Sequence, residues 1–220
     1  MTGLASLALA AAAFVGSHFL LSHPLRAPLV RAVGEGPFRG IYSVVALVTF
    51  GAMLWVYHGI GRQAPLWVAG DAVWVAASLL MWFGSILFVG SFVRNPALPG
   101  ARLERGRAPV GVFFATTRHP MMWGFASWAI VHAAVVATPK ALILDGAILL
   151  LALGGSVGQD AKKRKLMGEL FHEWALQTAF IPFGRGGANP GAIALIGGTL
   201  LFFLATWAHP GPAGFWRWIG

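Results

Sequence analysis

Two histidines, His18 and His132, stand inside otherwise apolar stretches, and a third, His119, lies between Arg118 and Pro120 at the edge of one of them. Imidazole is the side chain best suited to ligate iron or to carry a proton near neutral pH. In hydrocarbon such a group is costly unless a partner, a cavity or a cofactor satisfies it, so each is a candidate functional residue. Gly124, Trp128 and His132 recur at every fourth position, along one helical stripe. Thirteen residues at about 100° each put His119 and His132 on nearly opposite faces of that helix, so the two cannot reach one metal. His119 reads as a membrane-boundary group beside Arg118, with Pro120 in the first helical turn, where its missing N–H costs nothing. His23, His58, His172 and His209 read as interfacial. The chain has no HxxxH, HExxH or paired-carboxylate pattern, which argues against zinc hydrolysis. It has no cysteine, which excludes disulfides, iron–sulfur clusters and thiolate nucleophiles.

The elements that must hold these side chains are membrane helices. Of the 220 residues 57% are hydrophobic and 10% charged, whereas in a soluble domain about a quarter are charged. Six apolar stretches approach the roughly 20 residues needed to cross a bilayer: Gly3 to Leu21, Gly40 to Ile60, Asp71 to Val93, Pro120 to Thr138, Ala141 to Val157 and Gly191 to Ala208. The fifth is short, and Asp145 interrupts it. Trp55, Trp67, Trp207, Trp216 and Trp218 fall near span ends, as an interfacial aromatic belt requires. The expected fold class is all-α: a polytopic transmembrane helical bundle of about six membrane-spanning helices.

Basic residues divide sharply among the connecting segments. Thirteen of the 16 lie in residues 22–39, 94–118 and 159–190, and the other three are Arg62, Lys140 and Arg217. By the positive-inside rule the three rich segments are cytoplasmic and both termini extracytoplasmic. The first stretch has no Lys or Arg before it and three Arg after it, the pattern of a retained helix rather than a cleaved signal. Topology and anionic lipid headgroups account for the net charge of +9, with no call on nucleic acid.

No linker divides the chain. From about residue 160 to 181, Leu166, Leu170, Trp174 and Ile181 oppose the run Lys162 to Lys165, which predicts an amphipathic helix on the cytoplasmic interface, ended by Pro182. Gly154 with Gly158, and Gly197 with Gly198, read as sites of close helix packing. Asp71 reads as a helix N-cap. Asp145 either pairs with a buried donor or marks a misplaced span boundary.

His18 followed by Arg26, the stretch Gly34-Glu35-Gly36-Pro37-Phe38-Arg39-Gly40-Ile41-Tyr42-Ser43, and Thr117-Arg118-His119-Pro120 with Gly124, Trp128 and His132 together resemble the NnrU family of bacterial integral membrane proteins, to which the plant zeta-carotene isomerase is related. The resemblance is strongest over residues 14–138 and implies one NnrU-like transmembrane domain over 1–220, in the bacterial cytoplasmic (inner) membrane. It implies a link to denitrification and nitrogen-oxide metabolism, in an accessory role to a nitrogen-oxide reductase system or through a haem-dependent redox or isomerase activity. The related isomerase binds haem b through histidines and exchanges a ligand as a polyene double bond isomerises. Carried over residue by residue, its metal ligands are similar to His18 and His132 here, with Arg26, Arg118 and His119 as further cofactor-binding residues. The ligands such a haem would meet are a lipophilic polyene or nitric oxide. Where that isomerase has a cysteine, three residues before its second histidine, this chain has Ala129. At about 1.5 Å per residue His18 lies about 5 Å and His132 about 18 Å from the cytoplasmic helix ends. By level alone His18 pairs with His119, and His58 with His132.

A different class of activity is also implied. Arg118-His119-Pro120 with Gly124, and later Glu169, Phe171, Glu173, Trp174 and Pro182, are similar to the paired cytoplasmic elements of the isoprenylcysteine and phospholipid methyltransferases, which use S-adenosylmethionine. The alternative expectation is therefore a membrane methyltransferase.

Overall fold

Eight α-helices and one short 3-10 helix make up the regular structure of the described residues, 3–93, 116–186 and 189–219, in the computed structural model. In chain order they are α1 (Gly3–Ser22), α2 (Arg26–Val33), α3 (Glu35–Gly59), α4 (Asp71–Gly90), α5 (Pro120–Val136), α6 (Pro139–Met167), α7 (Glu169–Gln177) and α8 (Gly191–Trp207), followed by the 3-10 turn Gly214–Trp218. Helices α1, α3, α4 and α6 are long and apolar enough to cross a membrane, while α5 and α8 are shorter apolar helices. The 17 residues of α5 span about 25 Å against a hydrocarbon core of about 30 Å. Large apolar side chains face outward along these helices, among them Leu9, Leu47, Val48, Leu79, Ile193 and Leu200. On α1 only Leu7, Ala11, Phe14 and Val15 are buried, a narrow stripe at helical spacing. A helix apolar on its outer face as well as its packed one is built for lipid.

The structure redraws the two segments after His132. The fifth apolar stretch, expected to be short, belongs to the longest helix, α6, with 29 residues. It begins at Pro139 and continues past Asp160 and the lysine run to Met167, because no proline in 158–167 breaks it. Gly168, at φ +53°, then ends it. The interfacial helix expected over about 160–181 is thus the polar end of α6 plus the separate α7, which stops at Gln177. Residues after α7 leave the helix to bond a neighbouring segment, as described below.

The described chain divides into two compact units. The first holds Met1–Ala69 and His132–Gly158. In it α1 and α3 run antiparallel, with the Phe14 and Phe50 rings 5.4 Å apart and Ser22 Oγ donating to the Tyr42 hydroxyl at 3.3 Å. Gly154 and Gly158 on α6 admit Phe19 and His23 of α1: a Cβ on Gly154 would lie 2.9 Å from the Phe19 ring, and one on Gly158 would collide with the His23 imidazole. Between α5 and α6 the chain reverses through Ala137, which is fully buried at φ +44°.

The second unit holds Gly70–Val131 and Gln159–Gly220. Here Gly198 of α8 meets the backbone of Ile86 on α4, Gly84 meets Ser127, and Gly124 meets Phe88. Trp82 Nε1 donates to Thr199 Oγ1 at 2.9 Å. Small residues at crossings, with a hydrogen bond beside them, are the packing that membrane helices use when burial against lipid gains nothing. Asp71 is the first residue of α4 rather than its cap, which is Gly70, and its Oδ1 accepts from Arg217 Nη2 at 3.3 Å.

Candidate functional site

The second unit concentrates its buried charge on one carboxylate. Arg118 and His119 immediately precede α5, and Asp160 lies on the polar extension of α6, beyond the apolar run that ends at Val157. Arg118 donates through Nε and Nη2 to Asp160 Oδ2, at 2.8 and 2.6 Å. His119 Nε2 lies 2.8 Å from Oδ1. An ionised carboxylate only accepts, so Nε2 carries the proton and Nδ1 is left with a lone pair. Among the described residues Nδ1 has no hydrogen-bond partner.

Burial sets the protonation states. Side-chain exposure is 2% for His119, 8% for Asp160 and 13% for Arg118. Desolvation lowers the His119 pKa below its usual 6.5, more than Asp160 raises it, so the ring is neutral at pH 7. For Asp160 burial works upward, but the bonds and charges of His119 and Arg118 prevail and hold it below the usual carboxylate range. The Lys163 pKa is lowered by desolvation, against the pull of Asp160.

Backbone bonds explain why these side chains meet. Residues 178–183 run extended and turned against residues 116–118: Arg118 N donates to Ala179 O at 2.7 Å, Phe183 N to Thr116 O at 2.9 Å and Thr117 Oγ1 to Phe180 O at 2.8 Å. Trp123 Nε1 also reaches Phe180 O, at 2.8 Å. The Phe180 ring packs edge-on against His119, their centroids 5.3 Å apart, and carries the Arg118 guanidinium at 5.4 Å. The two elements likened to a methyltransferase pair are therefore joined. Their acidic members are not the ones used, however: Glu169 and Glu173 bond neither Arg118 nor His119, and Asp160 takes that place.

The histidines of the first unit are arranged differently. His18 donates from Nδ1 to Phe14 O at 2.7 Å and packs against the rings of Phe14 and Tyr42. His58 makes the same bond to Leu54 O at 2.8 Å. Both are ordinary contacts to the preceding helical turn. His132 is half-buried on the last turns of α5. Gly3 lies against Ile60, Lys140 Nζ donates to Ile60 O at 2.7 Å, and Leu66 N donates to Ala137 O at 2.9 Å. These contacts gather the start of α1, the end of α3 and the α5–α6 turn at one end. Counted from that end at about 1.5 Å per residue, His18 lies about 22 Å away and His132 about 7 Å. Imidazoles bind a metal at about 2 Å, so two ligands of one iron stand within about 4 Å. His18 and His132 do not fit as the axial pair of one haem.

Arg26 has a structural partner. Its Nη2 holds both oxygens of Glu35, at 2.8 and 3.0 Å, Arg39 reaches the same carboxylate at 3.4 Å, and the Arg26 guanidinium stands over Phe38. Gly34 alone, at φ +87°, where a side chain is strained, joins α2 to α3, and the rest of that stretch, from Glu35 to Ser43, begins α3. Among the described residues no group of three or more His, Asp or Glu could hold a metal ion. Asp145, 2% exposed, finds no donor for Oδ2 among the described residues, and α6 runs on through it from Pro139 to Met167, so the misplaced span boundary is the alternative the structure favours.

Asp160 is the member of the site that sequence reasoning missed. The signal for it was an acidic residue two positions before a run of four basic ones, just past the end of an apolar run. Comparison with protein families gives a match to one described as NnrU protein, over residues 6–216. Neither the curated proteins nor the solved structures yield a match.

Proposed function

The chain belongs to the NnrU family, and on that premise we propose that it is an integral membrane protein of nitrogen-oxide metabolism that binds haem b through His119. One observation carries the reading: His119 is buried and neutral, with Nε2–H fixed on Asp160, which leaves the lone pair on Nδ1. A metal-ligating histidine is commonly held this way, its second N–H given to a carboxylate that sets tautomer and ring orientation. Asp160 orients the imidazole, and Arg118, in turn, keeps Asp160 ionised. Haem would supply an iron at which nitric oxide binds or an electron passes. The chain contributes position and electrostatics at the polar ends of α5 and α6.

The absorption spectrum of the detergent-purified protein tests this. A Soret band is expected in the wild type and in His18→Ala and His132→Ala, and its loss in His119→Ala. A band that survives in His119→Ala and disappears in His18→Ala or His132→Ala overturns the ligand assignment, and no band after haem is added overturns the cofactor.

A second reading, an S-adenosylmethionine-dependent membrane methyltransferase, is favoured by one observation, the bonding of residues 116–118 to residues 179–183. In that case calorimetry detects binding of S-adenosylmethionine by the haem-free protein, and Arg118→Ala abolishes it.

A further inference from the structure

Helix α6 carries two acidic residues, Asp145 and Asp160, and both are buried. Arg118 and His119 bond the second. Nothing does the same for the first: Asp145 Oδ2 is sealed, with no hydrogen-bond donor among the described residues, and burial rather than any charge dominates the surroundings of the carboxyl. Lys140, five residues earlier on the same helix, is turned to other partners, its Nζ donating to Ile60 O at 2.7 Å and standing 4.8 Å over the Tyr57 ring. Tyr57, on α3, is near enough for the charge of an ionised Asp145 to act on it, and a phenol is neutral at pH 7. His58 beside it is exposed and gives Nδ1–H to Leu54 O. An ionised Asp145 would therefore stand in apolar surroundings with no cation to balance it.

We propose that Asp145 is a proton-binding site inside the membrane domain, filled at neutral pH and emptied from the end where Lys140 and Ile60 lie. A carboxylate taken out of water without a partner is so costly that the group keeps its proton instead. The sealing of Oδ2 points to the same ligand, because water and metal ions need room there and a proton needs none. Asp145 lies six residues past Pro139, about 9 Å along α6 from that end. On its other side the apolar run continues for twelve residues, to Val157. Losing the proton leaves a charge that only water can then stabilise, so the packing around Asp145 has to open as the proton leaves. Proton release and loosening of this end of α3 and α6 are thereby one event, and the acidity on that side sets how often it happens.

Infrared spectroscopy of the full-length protein in lipid nanodiscs tests the site. At neutral pH the wild type shows the carbonyl stretch of a protonated carboxylic acid, displaced in heavy water, and Asp145→Asn lacks it. Carbon-13 in the aspartate carboxyls shifts the band in the wild type, which assigns it to an aspartate even where the variant does not fold. The other two aspartates, Asp71 and Asp160, are each held by an arginine and contribute no such band. Raising the pH removes the band, and amide exchange in residues 57–66 and 137–147 then rises above that of Asp145→Asn at the same pH. Absence of the band at neutral pH, its indifference to the carbon-13 label, or its survival in Asp145→Asn overturns the proposal. A band that titrates while amide exchange stays equal in the two proteins overturns the coupling of proton release to opening. The readout involves no haem, so it stands or falls separately from the Soret band.

Discussion

Asp160 divides its two oxygens between neighbours in sequence, Oδ2 to Arg118 and Oδ1 to His119, across a separation of more than 40 residues. Breaking such a buried pair from one side leaves the other charge stranded. Asp160→Asn is therefore expected to destabilise the protein by about 3–5 kcal/mol, and adding Arg118→Met is expected to recover part of the loss. Thermal unfolding in detergent measures both. A double variant no more stable than Asp160→Asn alone would show that the cost lies elsewhere.

The neutral state of His119 gives stability a pH dependence. Burial lowers its pKa below 6.5 in the folded protein, so the unfolded chain binds the proton first as pH falls. The contribution is complete above about pH 6.5 and is lost as pH drops toward the folded value. The unfolding midpoint should be highest near pH 8 and decline toward about pH 5, and His119→Gln should flatten the decline. Equal slopes in the two proteins would contradict this.

Packing between α4 and α8 depends on the missing side chain of Gly198. A Cβ there would lie 2.5 Å from Ile86 Cα and 2.7 Å from its N, both backbone atoms that cannot step aside. Gly198→Ala is expected to cost about 1–3 kcal/mol, the range for overpacking. Gly51→Ala, with nothing within 4 Å of its Cβ, serves as the control. Similar midpoints for the two variants would rule out a tight crossing.

Orientation follows from charge. Reporters fused after Gln63 and after Arg185 should read extracytoplasmic and cytoplasmic respectively, because the basic residues crowd the second side. The same reading from both fusions, or the reverse order, would remove the six-span topology.

What the sequence disclosed was mostly what lies within one element. Apolar runs marked α1, α3, α4 and α8, and Gly154 and Gly198 marked close crossings, because span length and residue size are local properties. Thr117-Arg118-His119-Pro120 was legible as a helix entry for the same reason. The partner of Arg118 and His119 was not, since helical periodicity relates residues of one helix and says nothing of a carboxylate on another. The extent of α6 was misjudged because charge at Asp145 and Asp160 resembles a boundary, although an α-helix crosses such residues when no Pro intervenes. His18 and His132 could be recognised as unusual in kind, but only the contacts gathering Gly3, Ile60 and Ala137 at one end show how far apart in depth they are.

Ala137 joins α5 to α6 with no exposed surface, in a backbone conformation that disfavours any side chain. Volume and handedness act there as two independent filters on mutation. The first rejects everything larger than a methyl group, and the second prefers no methyl group at all. Glycine is the one replacement that passes both, so among homologous chains this turn should drift between two letters of the alphabet while the lipid-facing positions on either side exchange Leu, Ile and Val at will.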